Sequence, residues 1–293
     1  MASRLSGSEL SPSTSYHGHA SYLILTDLEA AIMRYSADHV AIPPALKIQV
    51  ESLERRFLAD FSALLPKSVA LEARPIREVV TSLLEEAARS QENSPAVSLD
   101  PVLGKASGIF VHSLDITKNA DTGGGTLKPR VGEAMSPKEQ VRVLSLKLSQ
   151  RDSSISGVTL VEIGCFTGRT LGSIMDFLYE NGIPVANIVI GMASEDAVRV
   201  LASRPSGRHA DITVINKAIM GTELRKIMLG SEISTNGNRA FKDIAPTNFL
   251  IPSKHAKRFE ELRSQYRSEL IGLLSSHGID LTAVARRRHT VLV

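Results

Sequence analysis

Over the first third of the chain, apolar positions recur every three or four residues, the period of an amphipathic helix. Leu25, Leu28, Ile32 and Tyr35 share one such stripe. Ile48, Leu53, Phe57, Phe61 and Leu64 share a second, separated from the first by Pro43 and Pro44. Pro66 closes it, and Pro75 can open a third helix, carrying Val79, Leu83 and Leu84, at the first helical position, where its missing N–H is not needed. Residues 21–95 are therefore expected to form a helical extension behind a Ser-rich, disordered tail at 1–20. The polar stretch Gln91–Pro101, with two prolines, is expected to be a linker.

Beyond it the pattern changes to short β-branched runs between helical stripes. Ile109–Ile116, Val158–Ile163, Val185–Met192 and Ile212–Ile215 have the length and apolarity of buried strands. Ser136-Pro137-Lys138-Glu139 is a capping-box start for a helix ending near Ser149. Leu171, Ile174, Met175 and Leu178 form a stripe that Gly182 terminates. Ser194 caps the next helix, with Glu195 and Asp196 in its first turn. Ser253 starts a long helix with Phe259, Leu262, Tyr266 and Leu270 on one face, ended by His277-Gly278. Strands alternating with helices predict an open, mostly parallel α/β sheet over residues 96–293.

Composition narrows the function classes. The chain has 293 residues, enough for one large domain with an extension, and its net charge of +3 is too small to argue for nucleic acid. Aromatics make up 4% and Trp is absent, which argues against stacking platforms for single strands. One cysteine, Cys165, excludes an internal disulfide framework and fits a reducing cytoplasm. No run approaches the roughly 18–20 apolar residues of a membrane span. The histidines are scattered and no Cys/His spacing suits zinc. Arg286, Arg287, Arg288 and His289 are expected to be a solvated cluster beside a last strand at 289–293.

The chemistry concentrates in Val158–Thr170. A strand delivers the chain to the sheet's carboxyl edge, and a helix begins near Arg169. Gly164 and Gly168 permit a tight turn and close backbone approach. Free N–H groups of the helix start, with the Thr167 and Thr170 hydroxyls, suit a phosphate. A side chain at Gly168 is expected to block that approach while leaving the fold intact. Glu162 ends the strand, where a carboxylate can accept from ribose hydroxyls; buried without a partner it would be costly. Cys165 is expected to be a small filler in the loop. Asn119–Met135 holds three consecutive glycines and is a mobile loop by composition, with Lys128 and Arg130 flanking the glycines.

The run LVEIGCFTGRTL resembles the signature of type I phosphoribosyltransferases, in which an apolar strand leads through an acidic pair into a Thr/Ser-Gly-x-Thr loop. The resemblance rests on Glu162, Thr167, Gly168 and Thr170 and extends through the helix, Gly turn and strand that follow, to residue 192. It implies a phosphoribosyltransferase-type sheet and a small-molecule substrate, phosphoribosyl pyrophosphate with Mg²⁺, attacked at its anomeric carbon by a nitrogen nucleophile. It further implies that Glu162 holds the ribose and serves catalysis. Phe166, Thr167, Gly168, Arg169 and Thr170 would hold the 5-phosphate, and Lys128 and Arg130 the pyrophosphate, with no metal ligand set of the protein's own. Ile163 replaces the second acid of the pair, which leaves room for a non-catalytic ligand sensor or scaffold. The same residues also resemble the first motif of S-adenosylmethionine methyltransferases, although the next strand ends without the expected acid. The family resemblance implies a homo-oligomer; on the scaffold reading the N-terminal helices would be a docking surface for a protein partner, and the expected location is the cytoplasm.

Overall fold

The computed structural model describes residues 20–29, 32, 42–90, 94–100, 103, 108–118, 126–130, 133–151, 157–207, 209–229, 231–235, 238–242 and 249–279. Nearly all of the 1–20 tail, the glycine run, Asn236-Gly237 and the Arg286–His289 cluster lie outside these residues.

Two parallel sheets organise the chain. The larger has five strands in the order β4 (Phe110–Ser113), β3 (Ala96–Ser98), β7 (Val158–Cys165), β8 (Val185–Ala193), β9 (Asp211–Lys217), all parallel. Numbered within the sheet this is 2-1-3-4-5, so the winding direction reverses between β3 and β7. Such a reversal leaves a crevice outside the carboxyl ends of the two strands, where ligands of open α/β sheets bind. The expected alternation of helices with a mostly parallel sheet is present around these five strands. β7 and β8 are buried along most of their length, as near-continuous apolar runs require.

One face of this sheet is covered by α3 (Pro137–Ser149), α4 (Arg169–Glu180) and α5 (Glu195–Ala202), which enclose Val141, Leu144, Leu171, Ile174, Leu178 and Leu201. The α3 capping box forms as predicted: Ser136 Oγ accepts from the Glu139 N–H, and the Glu139 carboxylate from the Ser136 N–H. The other face packs on α2 (Ile76–Arg89) through Val79, Leu83 and Ala87. Gly191 of β8 makes this approach possible: a Cβ there would lie 2.7 Å from both Val79 Cγ1 and the Ile163 carbonyl.

The second sheet departs from the sequence expectation. Residues 20–26, expected to be helical, form β1 (Ala20–Thr26), the centre of a three-stranded parallel sheet. Its neighbours are β2 (Val69–Pro75) and β10 (Met220–Glu223). Alternation explains the strand: Leu23 and Leu25 face the large sheet, while Tyr22 and Ile24 face a cluster made by other helices. Those helices are α1 (Pro44–Ser62), α6 (Leu224–Leu229) and α7 (Ala256–Ser275). Residues 22–65 and 224–274 thus share one core, and the boundary expected at residue 95 does not divide the packing. The expected helices at α1 and α2 are present, but their apolar faces are used internally. Ile48 is the large apolar side chain of α1 that stays exposed.

The expected linker also contains a strand. Ala96–Ser98 is fully buried between β4 and β7. Further along, β5 (Ile116–Lys118) and β6 (Leu127–Pro129) pair as an antiparallel hairpin. Another hairpin joins β11 (Ser231–Thr235) to β12 (Asn238–Lys242).

Candidate functional site

Strand β7 carries Glu162 to the carboxyl edge at the switch point, paired through its register with Ile190 of β8. Its side chain is 16% exposed. Burial pushes the carboxyl up to about 7, and the nearby Asp100 carboxylate pushes the same way; Arg130 and the N–H groups of Gly164 and Ile163 oppose both. Asp100 follows β3, the neighbour of β7 across the switch point, and its N–H donates to Ser98 Oγ at 3.1 Å. A second acid, just past the end of the adjacent strand, thus lies near enough to raise the Glu162 carboxyl, while the motif's own second position is Ile163. Sequence reasoning missed Asp100; the available signal was an acid closing the short apolar run Ala96–Leu99.

Ile163 itself points away from the crevice. It is 6% exposed and packs with Val161, Val189, Met192, Val79 and Leu83. A carboxylate there would enter an apolar core, so the side chain matches its surroundings.

Arg130 is brought to Glu162 by the hairpin. Its Nη2 lies 3.6 Å from the Glu162 carboxylate, its Nε donates to the Ile116 carbonyl at 3.2 Å, and its backbone N–H donates to the Asp115 carbonyl at 2.8 Å. Lys128 is exposed on β6, in register with Thr117.

The loop after β7 enters α4 through Gly168, which adopts the left-handed conformation at φ 66°. The N-cap position, Gly168, offers no side chain to cap the helix, and the first turn carries no acid to offset the positive end of the helix. Thr167 and Arg169 are exposed, and the Arg169 N–H leans on Thr167 Oγ1 at 3.4 Å. Thr170 is half-buried. Such a helix start suits an anion.

Two loop residues have structural duties. A Cβ on Gly168 would lie 3.0 Å from both the Ala197 carbonyl and Val200 Cγ1 of α5. Glycine is required there by its own conformation and by α5, so a larger side chain disturbs the fold as well as any ligand, contrary to the sequence expectation. The Phe166 ring packs into the core beside Gly221 of β10, where a Cβ would approach its Cζ to 2.5 Å. Its carbonyl accepts from Ser194 Oγ at 2.7 Å, while Ser194 Oγ also accepts from the Ala197 N–H at 3.0 Å. The contribution of Phe166 to a ligand is thus limited to its backbone. Cys165 is buried, and burial pushes its thiol up to about 11, which outweighs the nearby helix start and suits a filler rather than a nucleophile.

A cavity of about 390 Å³ opens farther along the same edge, lined by Ala193, Ser194, Glu195, Val198, Arg199 and Lys217. Its lining includes neither Glu162 nor the 166–170 loop, so this cavity and the candidate chemistry do not coincide. We place the site on the buried carboxylate and the open helix start. Among the described residues no group of three or more His, Cys, Asp or Glu side chains is arranged to hold a metal. None of the described helices is long and apolar enough to cross a membrane. Comparison with protein-family models and with curated proteins gives no match for this chain.

Proposed function

We propose that the switch-point crevice binds phosphoribosyl pyrophosphate and that the chain is a phosphoribosyltransferase-like protein. The observation that carries this reading is a single one: a largely enclosed carboxylate, Glu162, stands at the carboxyl edge, one short loop before a helix start without a capping side chain, as a ribose 5-phosphate requires. Glu162 accepts from the ribose hydroxyls, with Asp100 beside it. The N–H groups and hydroxyls of Thr167 to Thr170 take the 5-phosphate. Arg130, with Lys128 on the same hairpin, faces the pyrophosphate. The nitrogen nucleophile would displace pyrophosphate from the anomeric carbon, a step helped chiefly by stabilising the charge that leaves. Mg²⁺ enters on the pyrophosphate; it binds through substrate phosphates and one or two carboxylates, keeping several waters, and so needs no protein cage.

The methyltransferase reading has less support. Strand β8 ends on Met192 and Ala193, Ser194 caps α5 and Glu195 already belongs to that helix, so no acid closes the strand for an adenosyl ribose. A non-catalytic sensor would use the same crevice.

Thermal unfolding with each ligand separates the readings. Phosphoribosyl pyrophosphate with Mg²⁺ at about 100 times its Kd should add about 2.7 kcal/mol, and Glu162→Ala should abolish the shift. S-adenosylmethionine should give none. A shift with S-adenosylmethionine alone would overturn the proposal, whereas a shift without turnover over a panel of nitrogen acceptors would mark a sensor.

A further inference from the structure

We infer that Arg130 occupies Glu162 as a place-holder and is exchanged for the sugar hydroxyls when a pyrophosphate is present to receive it. The inference rests on the phosphoribosyl reading of the site and adds a discriminating role to Arg130.

The anchoring of Arg130 is uneven. Its root is fixed by two hydrogen bonds to the hairpin, one from its backbone N–H to the Asp115 carbonyl and one from Nε to the Ile116 carbonyl. Its far end only leans on Glu162: 3.6 Å is an ion-pair distance, longer than a charge-assisted hydrogen bond. Among the described residues, Nη1 and Nη2 make no hydrogen bond. A guanidinium fixed at Nε, with Nη2 in a long ion pair only, is suited to bidentate capture of a phosphate through its two Nη groups.

The carboxylate has complementary needs. Glu162 is nearly enclosed and has Asp100 as a like-charged neighbour, so it requires donors at all times. Arg130 supplies a positive charge in the empty site. Two ribose hydroxyls would satisfy the carboxylate in its place, but they bring no charge for the displaced guanidinium. A ligand carrying pyrophosphate beside the ribose supplies both halves of the exchange. Ribose 5-phosphate supplies one, and must compete with Arg130 without compensation. The pair therefore selects for pyrophosphate-bearing sugars before any chemistry takes place.

Calorimetric titration of the full chain and of Arg130→Met, each with Mg²⁺, tests this with two probes, phosphoribosyl pyrophosphate and ribose 5-phosphate. The variant should bind the first at least about tenfold more weakly. It should bind the second equally well or more tightly, because its competitor is gone. Arg130→Lys, which keeps charge but not the fork, should recover part of the loss for the first probe. The pH at which binding depends on Glu162 should move upward in Arg130→Met, since a cation beside the carboxylate has been removed. Equal weakening of both probes, or no change in either, would overturn the exchange while leaving the phosphoribosyl reading in place. A wild-type chain that binds neither probe would overturn the parent reading and the exchange with it.

Discussion

Glu162 shows what it costs the fold to enclose a carboxyl at the carboxyl edge of a sheet. Its folded-state carboxyl is raised to about 7 from an ordinary value near 4.5, so the folded protein holds a proton that the unfolded chain has released between those limits. Stability from this group is fully present below about 4.5 and is lost as pH rises through about 7. Glu162→Gln should therefore raise the melting temperature by about 2–6 °C at pH 8, for roughly 1–3 kcal/mol. The gain should shrink toward zero at pH 4, and ligand binding should be lost at both. Calorimetric melts at the two pH values check this; an equal gain at both would mean that the carboxylate is not strained. The sequence suggested Glu162 because an acid directly after Val158–Val161 needs a reason. Asp100 was invisible for a physical cause: its nearness to Glu162 comes from the pairing of β3 with β7 across about 60 residues of chain, and no local pattern encodes a strand order.

At the scale of elements, what could be read locally was read well. The α3 start and the Ser194 cap depend on residues within four positions of one another, and the β7–α4 unit on one contiguous stretch; each forms as its sequence suggests. Among the strands that escaped, β1, β2 and β3 are short or mixed, and their state is decided by partners far along the chain; β6, β11 and β12 also escaped, as hairpin strands in stretches whose glycines and polar residues read as loops. β1 has a helical stripe in its sequence, yet alternation onto two different cores overrides it. The turn into α4 gives a sharper test. Gly168→Ala forces a side chain into the left-handed region and against the Ala197 carbonyl, so it should destabilise by about 1–3 kcal/mol. Urea titration reads the change. A variant as stable as the wild type would show that α5 yields, and would return Gly168 to a purely ligand-facing role.

Over the whole molecule, the apolar cluster joining residues 22–65 to 224–274 is the largest commitment of the fold. Phe57 stacks on Phe61 and meets Tyr266 edge-on, and Phe61 in turn meets Phe259 edge-on, so aromatic rings from both ends of the chain interlock. Around the same junction, the buried Asp27 accepts from the backbone N–H and Nε of Arg225. A fragment beginning at residue 96 keeps the five-stranded sheet but exposes the inner faces of α6 and α7. It should bind a hydrophobic dye and lose cooperative unfolding, and co-expression of residues 1–95 should restore both properties. A fragment that melts cooperatively by itself would show that the N-terminal segment is an appendage.

The position of β1 has a consequence for how the protein is made. Its first partner, β2, follows closely, but its second, β10, is about 200 residues away, the separation of Asp27 from Arg225 being 198. At roughly 5–20 residues per second, a ribosome needs about 10–40 s to deliver β10 after β1 has emerged. Throughout that interval the β1 edge that β10 will cover stays open: α1 and α2 have emerged to meet the two faces of β1, but the strand that closes its hydrogen-bonding edge has not. The nascent chain thus passes through a long period as a template for unwanted strand addition, and its yield should depend on the holding chaperones of the host and on the rate of elongation.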